Sequence, residues 1–155
     1  MPATVPLPDL DELIANFSLF DDWEERYHYV IDLGDALEPM HASHKIPGNK
    51  VEGCVSQVWL SFRCAHEGVS TPHLYFQGDS DARIVRGLIA ILSILYNGQP
   101  VDEISSDAAH TLFQRLGLAE HLTPQRSNGF YAMTTRLQME AEKALLSEAE
   151  GRDAS

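Results

Sequence analysis

Apolar side chains recur every three or four residues near the start of the chain, which is the spacing of one face of an α-helix. One such stripe covers residues 10–17 and a second covers residues 23–37. Asp22, followed three residues later by Glu25, has the pattern of a helix-capping box. We therefore predict two helices, followed by a loop over residues 40–50.

The period then changes to two residues, as in a half-buried β-strand. Residues 58–62 and 73–77 each alternate apolar with polar side chains, and His-Glu-Gly at 66–68 offers a turn between them. This pattern predicts an antiparallel β-hairpin.

Further helices are predicted after the hairpin. Gly-Asp-Ser-Asp at 78–81 offers N-cap residues for an apolar helix over 84–96, and Gly98 is placed to close that helix in the left-handed conformation. A shorter helix is predicted over 107–116. Pro124, directly after a threonine, is suited to the first position of a long last helix.

The order of two helices, a small antiparallel sheet and three helices predicts an α+β fold. We expect one domain over residues 9–147, because 155 residues suffice for a single core. The ends, residues 1–8 and 148–155, have the composition of flexible tails.

Composition and charge limit the function. Twenty-three acidic against eleven basic residues give a net charge of −12, which repels a nucleic-acid backbone. The longest apolar run, 84–96, contains Arg86 and is too short for a membrane span. The N-terminus has no secretory pattern, and two cysteines ten residues apart make no disulfide framework, so we expect a cytoplasmic protein with free thiols.

Cys54 is the main candidate for chemistry. It follows Gly53 at the entry to the first strand, where a loop can present a thiol to a large partner. The alternative is a small apolar side chain that only packs. A reactive thiolate needs a nearby cation, for which Lys50 and Arg126 are candidates.

Two other kinds of function are compatible with the residues. His41, His44, Cys54, Cys64 and His66 are of the types that bind zinc, although their spacing does not form the paired ligand groups of a typical structural site. The chain is also compatible with a non-catalytic module whose acidic surface binds a basic partner.

Five stretches in order resemble the SufE family of sulfur-acceptor proteins. They are WEERYHYVIDLG at 23–34, GCVSQVW at 53–59, GDSDARIVRGLIAIL at 78–92, LYNGQPVDEI at 95–104 and LGLAEHLTPQRSNGFYAM at 116–133. The resemblance implies a fold of the SufE and IscU type, with a sheet of about three strands. The third strand is expected from the resemblance alone.

The resemblance also implies a function. Cys54 would accept persulfide sulfur from a pyridoxal-phosphate-dependent cysteine desulfurase of the SufS or CsdA type, stimulate that enzyme, and relay the sulfur to an iron–sulfur scaffold complex. The chain would then be a carrier with sulfurtransferase chemistry rather than an independent enzyme, and it would need no metal or bound cofactor of its own. Ser56, Gln57 and Arg126 belong to matching segments and are expected to support the Cys54 site. The alternatives are that Ser56 and Gln57 are only the polar positions of an edge strand and that Arg126 lies at the partner interface.

Two positions depart from the expected pattern. Family members often have glutamine where Val55 stands, and the loop before Cys54 is richer in histidine than expected. Cys64 matches no family motif, and we expect a packed or edge thiol there rather than a resolving cysteine.

Overall fold

The structure is a computed structural model that describes residues 7–54, 56–65 and 71–153. The helices in these residues are α1 (Leu10–Leu19), α2 (Trp23–Asp35), α3 (Arg83–Tyr96), α4 (Ser106–Arg115), α5 (Leu118–His121) and α6 (Pro124–Asp153). The strands are β1 (Val58–Ala65), β2 (His73–Ser80) and β3 (Gln99–Pro100), and single 3-10 turns cover Ala42–His44, Pro47–Asn49 and Val101–Glu103. None of the helices in the described ranges is long and apolar enough to cross a membrane.

The predicted α+β fold is confirmed. Strands β1 and β2 pair in antiparallel register from Val58 opposite Ser80 to Ala65 opposite His73. Strand β3 pairs with the start of β2, which gives the sheet order β1-β2-β3. The turn predicted at 66–68 lies outside the described residues.

The capping predictions for α2 and α6 are confirmed. The Asp22 carboxylate accepts a hydrogen bond from the Glu25 amide at 2.8 Å. The Thr123 hydroxyl accepts one from the Arg126 amide at 3.3 Å, so helix α6 starts at Pro124 as expected. Helix α6 continues to Asp153, past the domain end predicted at residue 147.

The predicted N-cap for α3 at 78–81 is wrong. Strand β2 continues to Ser80, and the residue before α3 is Ala82, whose side chain makes no capping bond. The Ser80 hydroxyl instead accepts a hydrogen bond from the Ala82 amide at 3.2 Å within the turn. Asp79 is not a cap because it is buried on the sheet.

Asp79 joins the sheet to the segment after α2 and to α3. Its carboxylate accepts hydrogen bonds from the Ser80 amide at 2.8 Å and the Met40 amide at 3.1 Å. The Lys45 ammonium and the Arg86 guanidinium lie 3.4 and 3.5 Å away. Burial opposes ionisation, but the two amides and two cations outweigh it, so the pKa of Asp79 is lowered.

Helices α2 and α3 approach each other through their backbones. A Cβ at Gly87 would lie 2.2 Å from the Val30 carbonyl oxygen, and one at Gly34 would lie 2.5 Å from the Gly87 nitrogen. Neither position has space for a side chain. This contact fixes α3, which is buried on nearly all sides, against α2.

The end of α3 covers the free edge of β2. The side-chain Nδ2 of Asn97 donates to the Phe76 backbone carbonyl at 3.0 Å, and its Oδ1 accepts from the Phe76 backbone N–H at 3.2 Å. Gly98 has the predicted left-handed conformation, with φ of +82°, but its amide donates to Leu74 of β2 rather than back to the helix. The Asn97 side chain thus continues, along the edge of β2, the hydrogen bonding that the two-residue strand β3 begins.

Candidate functional site

Cys54 lies in a loop that leaves the sheet and returns to it. We call residues 51–57 the cysteine loop. The Val51 amide donates to the Val58 carbonyl at 2.9 Å, which closes the loop at its base. Gly53 has φ of +90°, a conformation that L side chains rarely adopt, and so turns the chain directly before the thiol. Val55 lies outside the described residues.

The Cys54 thiol is half-buried against the first turns of α6. Its Sγ lies 3.7 Å from the Gly129 carbonyl oxygen, to which the thiol donates a weak hydrogen bond. Beside the sulfur is a cavity of about 10 Å³, near the lower limit for one water molecule. We call this cavity the Cys54 pocket, and it is lined by Cys54, Ser56, Val85, Leu88, Gln125, Arg126, Gly129, Phe130 and Met133.

Arg126 and Ser56 both line this pocket and contact each other. The Arg126 Nη1 donates to the Ser56 Oγ at 2.6 Å, which ties the start of α6 to the cysteine loop. A hydrogen bond from a charged donor is stronger than a neutral one. The bond therefore holds the loop, and the thiol with it, against the body of the protein.

Gln57 has a different environment. Its side chain is exposed and does not line the Cys54 pocket. Its backbone amide donates to the Asp81 carboxylate at 3.0 Å, and its carbonyl accepts from the Asp81 amide at 3.3 Å. The structure thus gives Gln57 a role in anchoring the loop through its backbone.

The electrostatic surroundings favour the neutral thiol. Burial and, to a smaller extent, the Glu52 carboxylate raise the pKa of Cys54. Lys50, one of the two candidate cations, is exposed and does not line the pocket. Arg126 does line it, but its bonded guanidinium does not offset burial. Cys54 at rest is therefore mostly protonated at neutral pH.

The remaining candidates lie away from this pocket. Cys64 is exposed near the end of β1, and burial followed by Glu140 raises the pKa of its thiol. The His41 ring bonds the Ser43 hydroxyl and amide in its own turn. In the part of the chain that the structure describes, no three His, Cys, Asp or Glu side chains are grouped to hold a metal ion, and His66 lies outside that part.

Sequence reasoning missed the apolar wall of the pocket. Val85 and Leu88 come from α3, and Phe130 and Met133 come from α6. Their helical spacing indicated core positions, but nothing in the sequence placed them beside the sulfur.

Comparison with known proteins identifies the family. A family model described as SufE, an Fe-S metabolism associated domain, matches residues 11–141. The chain belongs to the SufE family. It is 46% identical over 136 residues to an uncharacterized SufE-like protein of Rhizobium etli, covering 88% of this chain and 91% of the relative. It is 43% identical over 139 residues to an uncharacterized SufE-like protein of Rhizobium meliloti, covering 90% of this chain and 99% of that protein.

A solved structure agrees with the fold of this SufE-family chain. The solution structure of a hypothetical protein from Thermus thermophilus superposes with a TM-score of 0.67 at 19% identity, covering 92% of this chain and 99% of the other. At that identity the likeness concerns the fold alone. Membership of the family associates the chain with iron–sulfur metabolism.

Proposed function

We propose that this protein is a cytoplasmic sulfur acceptor of iron–sulfur cluster assembly. Cys54 takes the outer sulfur of a persulfide on a pyridoxal-phosphate-dependent cysteine desulfurase and passes it to a scaffold complex. The observation that carries the proposal is the position of Cys54: a loop thiol beside a small, largely apolar pocket and an arginine, in a SufE-family chain.

The transfer is thiol exchange applied to a persulfide. The Cys54 thiol first loses its proton to a base in the docked complex or to solvent. The thiolate then attacks the outer sulfur of the donor persulfide. A bond forms between Cys54 Sγ and that sulfur, the bond between the two donor sulfurs breaks, and the donor cysteine leaves as a thiolate. No oxidant or reductant is consumed.

Because the pKa of Cys54 is raised, the transfer step depends on how the donor protein docks. Few Cys54 side chains are thiolates at neutral pH, so the free protein reacts slowly with any electrophile. Docking must therefore bring the two sulfur atoms into line and favour ionisation of Cys54. This arrangement restricts sulfur transfer to the cognate donor, which then resumes turnover once its persulfide has been removed.

The Cys54 pocket is suited to the product. One added sulfur atom is comparable in size with the water-sized cavity, whose walls include Val85, Leu88 and Phe130. Apolar walls limit access of water-borne oxidants and thiols to a persulfide. Arg126 lies at the same pocket and is a suitable counter-ion for an anionic persulfide.

The test is sulfur loading followed by peptide mass spectrometry. The protein is incubated with a cysteine desulfurase, pyridoxal phosphate and cysteine, and the peptide that contains Cys54 is expected to gain the mass of one sulfur atom. Cys54→Ser should abolish both the gain and the stimulation of the desulfurase, and Cys64→Ser should retain both. Loading on Cys64, or on no residue of the chain, would contradict the proposal.

A further inference from the structure

The side of the sheet that faces away from α3 carries mainly aromatic, polar and cationic side chains. Val58, Leu60, Leu74 and Phe76 are buried on the α3 side, so the alternate residues of each strand point outward. We define the outer sheet face by Trp59, Ser61 and Arg63 of β1 together with Tyr75, Gln77 and Asp79 of β2. Asp79, at one end of this face, is buried and paired with Lys45 and Arg86. Arg63 and Gln77 are exposed on it.

A groove of about 460 Å³ crosses this face. Its lining consists of His44, Ser61, Phe62, Arg63, Tyr75, Phe76, Gln77 and Asn97. None of these is acidic, although the chain has 23 aspartates and glutamates among 155 residues. Ser61, Arg63 and Gln77 carry side chains that can donate hydrogen bonds, so the groove is a non-acidic, polar region on a strongly acidic protein.

Two cations at the outer sheet face, one from β1 and one from the loop after α2, are held over aromatic rings. The Arg63 guanidinium lies 4.4 Å from the Tyr75 ring centre, and the Lys45 ammonium lies 5.1 Å from that of Trp59. Among the described residues, Arg63 makes no ion pair with a carboxylate, whereas Lys45 is paired with buried Asp79. A guanidinium held over a ring keeps N–H groups available at its edges, where a carboxylate binds through two parallel hydrogen bonds.

We infer that the outer sheet face binds an acidic, extended segment of a partner protein. A carboxylate of the segment would bind Arg63, and its backbone and neighbouring side chains would contact the polar groups of the groove. The volume is in the range that holds a few residues of a peptide. The net charge of −12 repels any polyanion, so a segment with a few carboxylates is favoured over nucleic acid, which carries a phosphate on every nucleotide.

Arg63, the proposed carboxylate contact on this face, is separate from the sulfur site. Arg63 lies five residues along β1 from Val58, at the base of the cysteine loop, and a strand rises ~3.3 Å per residue, which places the two about 17 Å apart. A partner segment bound at Arg63 therefore leaves Cys54 accessible to a sulfur donor. The inference does not depend on the proposed sulfur transfer.

The test uses the full chain and a defined probe. An end-blocked, fluorescein-labelled peptide of alternating glutamate and leucine is titrated with protein at low and at moderate salt, and binding is followed by fluorescence anisotropy. Native protein is expected to bind it, and Arg63→Glu to weaken binding about tenfold or more, equivalent to ~1.4 kcal/mol. Arg115→Glu, an equal charge change at an exposed position of α4, should leave binding within about twofold, which is less than ~0.5 kcal/mol.

A second variant and two other probes keep the inference falsifiable. Gln77→Lys adds a cation to the groove and should tighten binding, which guards against misfolding of Arg63→Glu. The inference is overturned if Arg115→Glu weakens binding as much as Arg63→Glu does. It is also overturned if a single-stranded oligonucleotide binds this face more tightly than the peptide, or if sedimentation shows a native dimer that Arg63→Glu dissociates, since a second copy would then be the occupant.

Discussion

The hydrogen bond between Arg126 and Ser56 should control access to Cys54. At 2.6 Å it is a charged bond between α6 and the cysteine loop. Such bonds contribute ~1.5–3 kcal/mol. Because the pair is only partly buried, we expect Ser56→Ala to lose about 1–2 kcal/mol of loop closure. At RT of ~0.59 kcal/mol this raises the open population roughly 5- to 30-fold.

The assay is alkylation of Cys54 by iodoacetamide, measured in a Cys64→Ser background so that one thiol reacts. Alkylation of Ser56→Ala should be faster by the same factor as the open population, provided that reaction occurs from the open loop. Ser18→Ala is the matched control, since Ser18 is exposed on α1 and its hydroxyl donates to the Ile14 carbonyl of the same helix.

Combining substitutions tests whether the two residues act as a pair. Arg126→Gln should accelerate alkylation to a similar extent, and adding Ser56→Ala to it should have little further effect, because the same bond has already been lost. Rates for Ser56→Ala within about twofold of the native rate, well below the 1 kcal/mol expected, would refute this account of loop closure. So would an equal acceleration in Ser18→Ala.

Three further predictions concern charge and packing. Glu52→Gln should lower the pKa of the Cys54 thiol toward its ordinary value, so the rise of the alkylation rate with pH should move to lower pH. Gly87→Ala should destabilise the fold by about 3 kcal/mol or more in urea unfolding, whereas Gly48→Ala, with open space around it, should change stability by less than about 0.5 kcal/mol. Asp79→Asn should cost about 3–5 kcal/mol at neutral pH, because two cations lose their carboxylate.

A specific experimental result would contradict each of these predictions. An unchanged pH profile in Glu52→Gln would show that the carboxylate does not affect the thiol. A stable Gly87→Ala protein would mean that α2 and α3 separate easily. For Asp79, whose pKa is lowered by folding, the carboxylate stabilises the fold above its ordinary pKa, and this contribution is lost as pH falls through the folded pKa. The difference between native protein and Asp79→Asn should therefore shrink in acid, and a constant difference would contradict the ion-pair explanation.

The sequence predicts those parts of the fold that local periodicity controls. The stripes of α2 and α6 and the alternation in β1 and β2 all lie in the elements they indicated. Strand β3 has two residues and α5 has four, which is too short for any period to be recognised. The predicted cap at Asp79 was wrong because the backbone at Met40, 39 residues earlier, binds that carboxylate. A contact over that separation cannot be predicted from the local sequence.

The candidate site is predictable to a similar degree. Cys54 and Arg126 were named from short motifs, and the structure places both at one pocket. The effect of Glu52 on the thiol, the Gly129 carbonyl and the wall formed by Phe130 depend on how α6 crosses the cysteine loop. These contacts depend on tertiary packing, so they could not be predicted from the sequence.

The backbone contact between Gly34 and Gly87 has a consequence for motion. Two helices whose main chains touch have no side-chain layer along which to slide, so shear between them is costly. Sliding of α2 against α3 is therefore not expected to contribute when the thiol is presented to another protein, and the cysteine loop is the segment expected to move. The paired helices α2 and α3 form a rigid unit, and the cysteine loop moves relative to it.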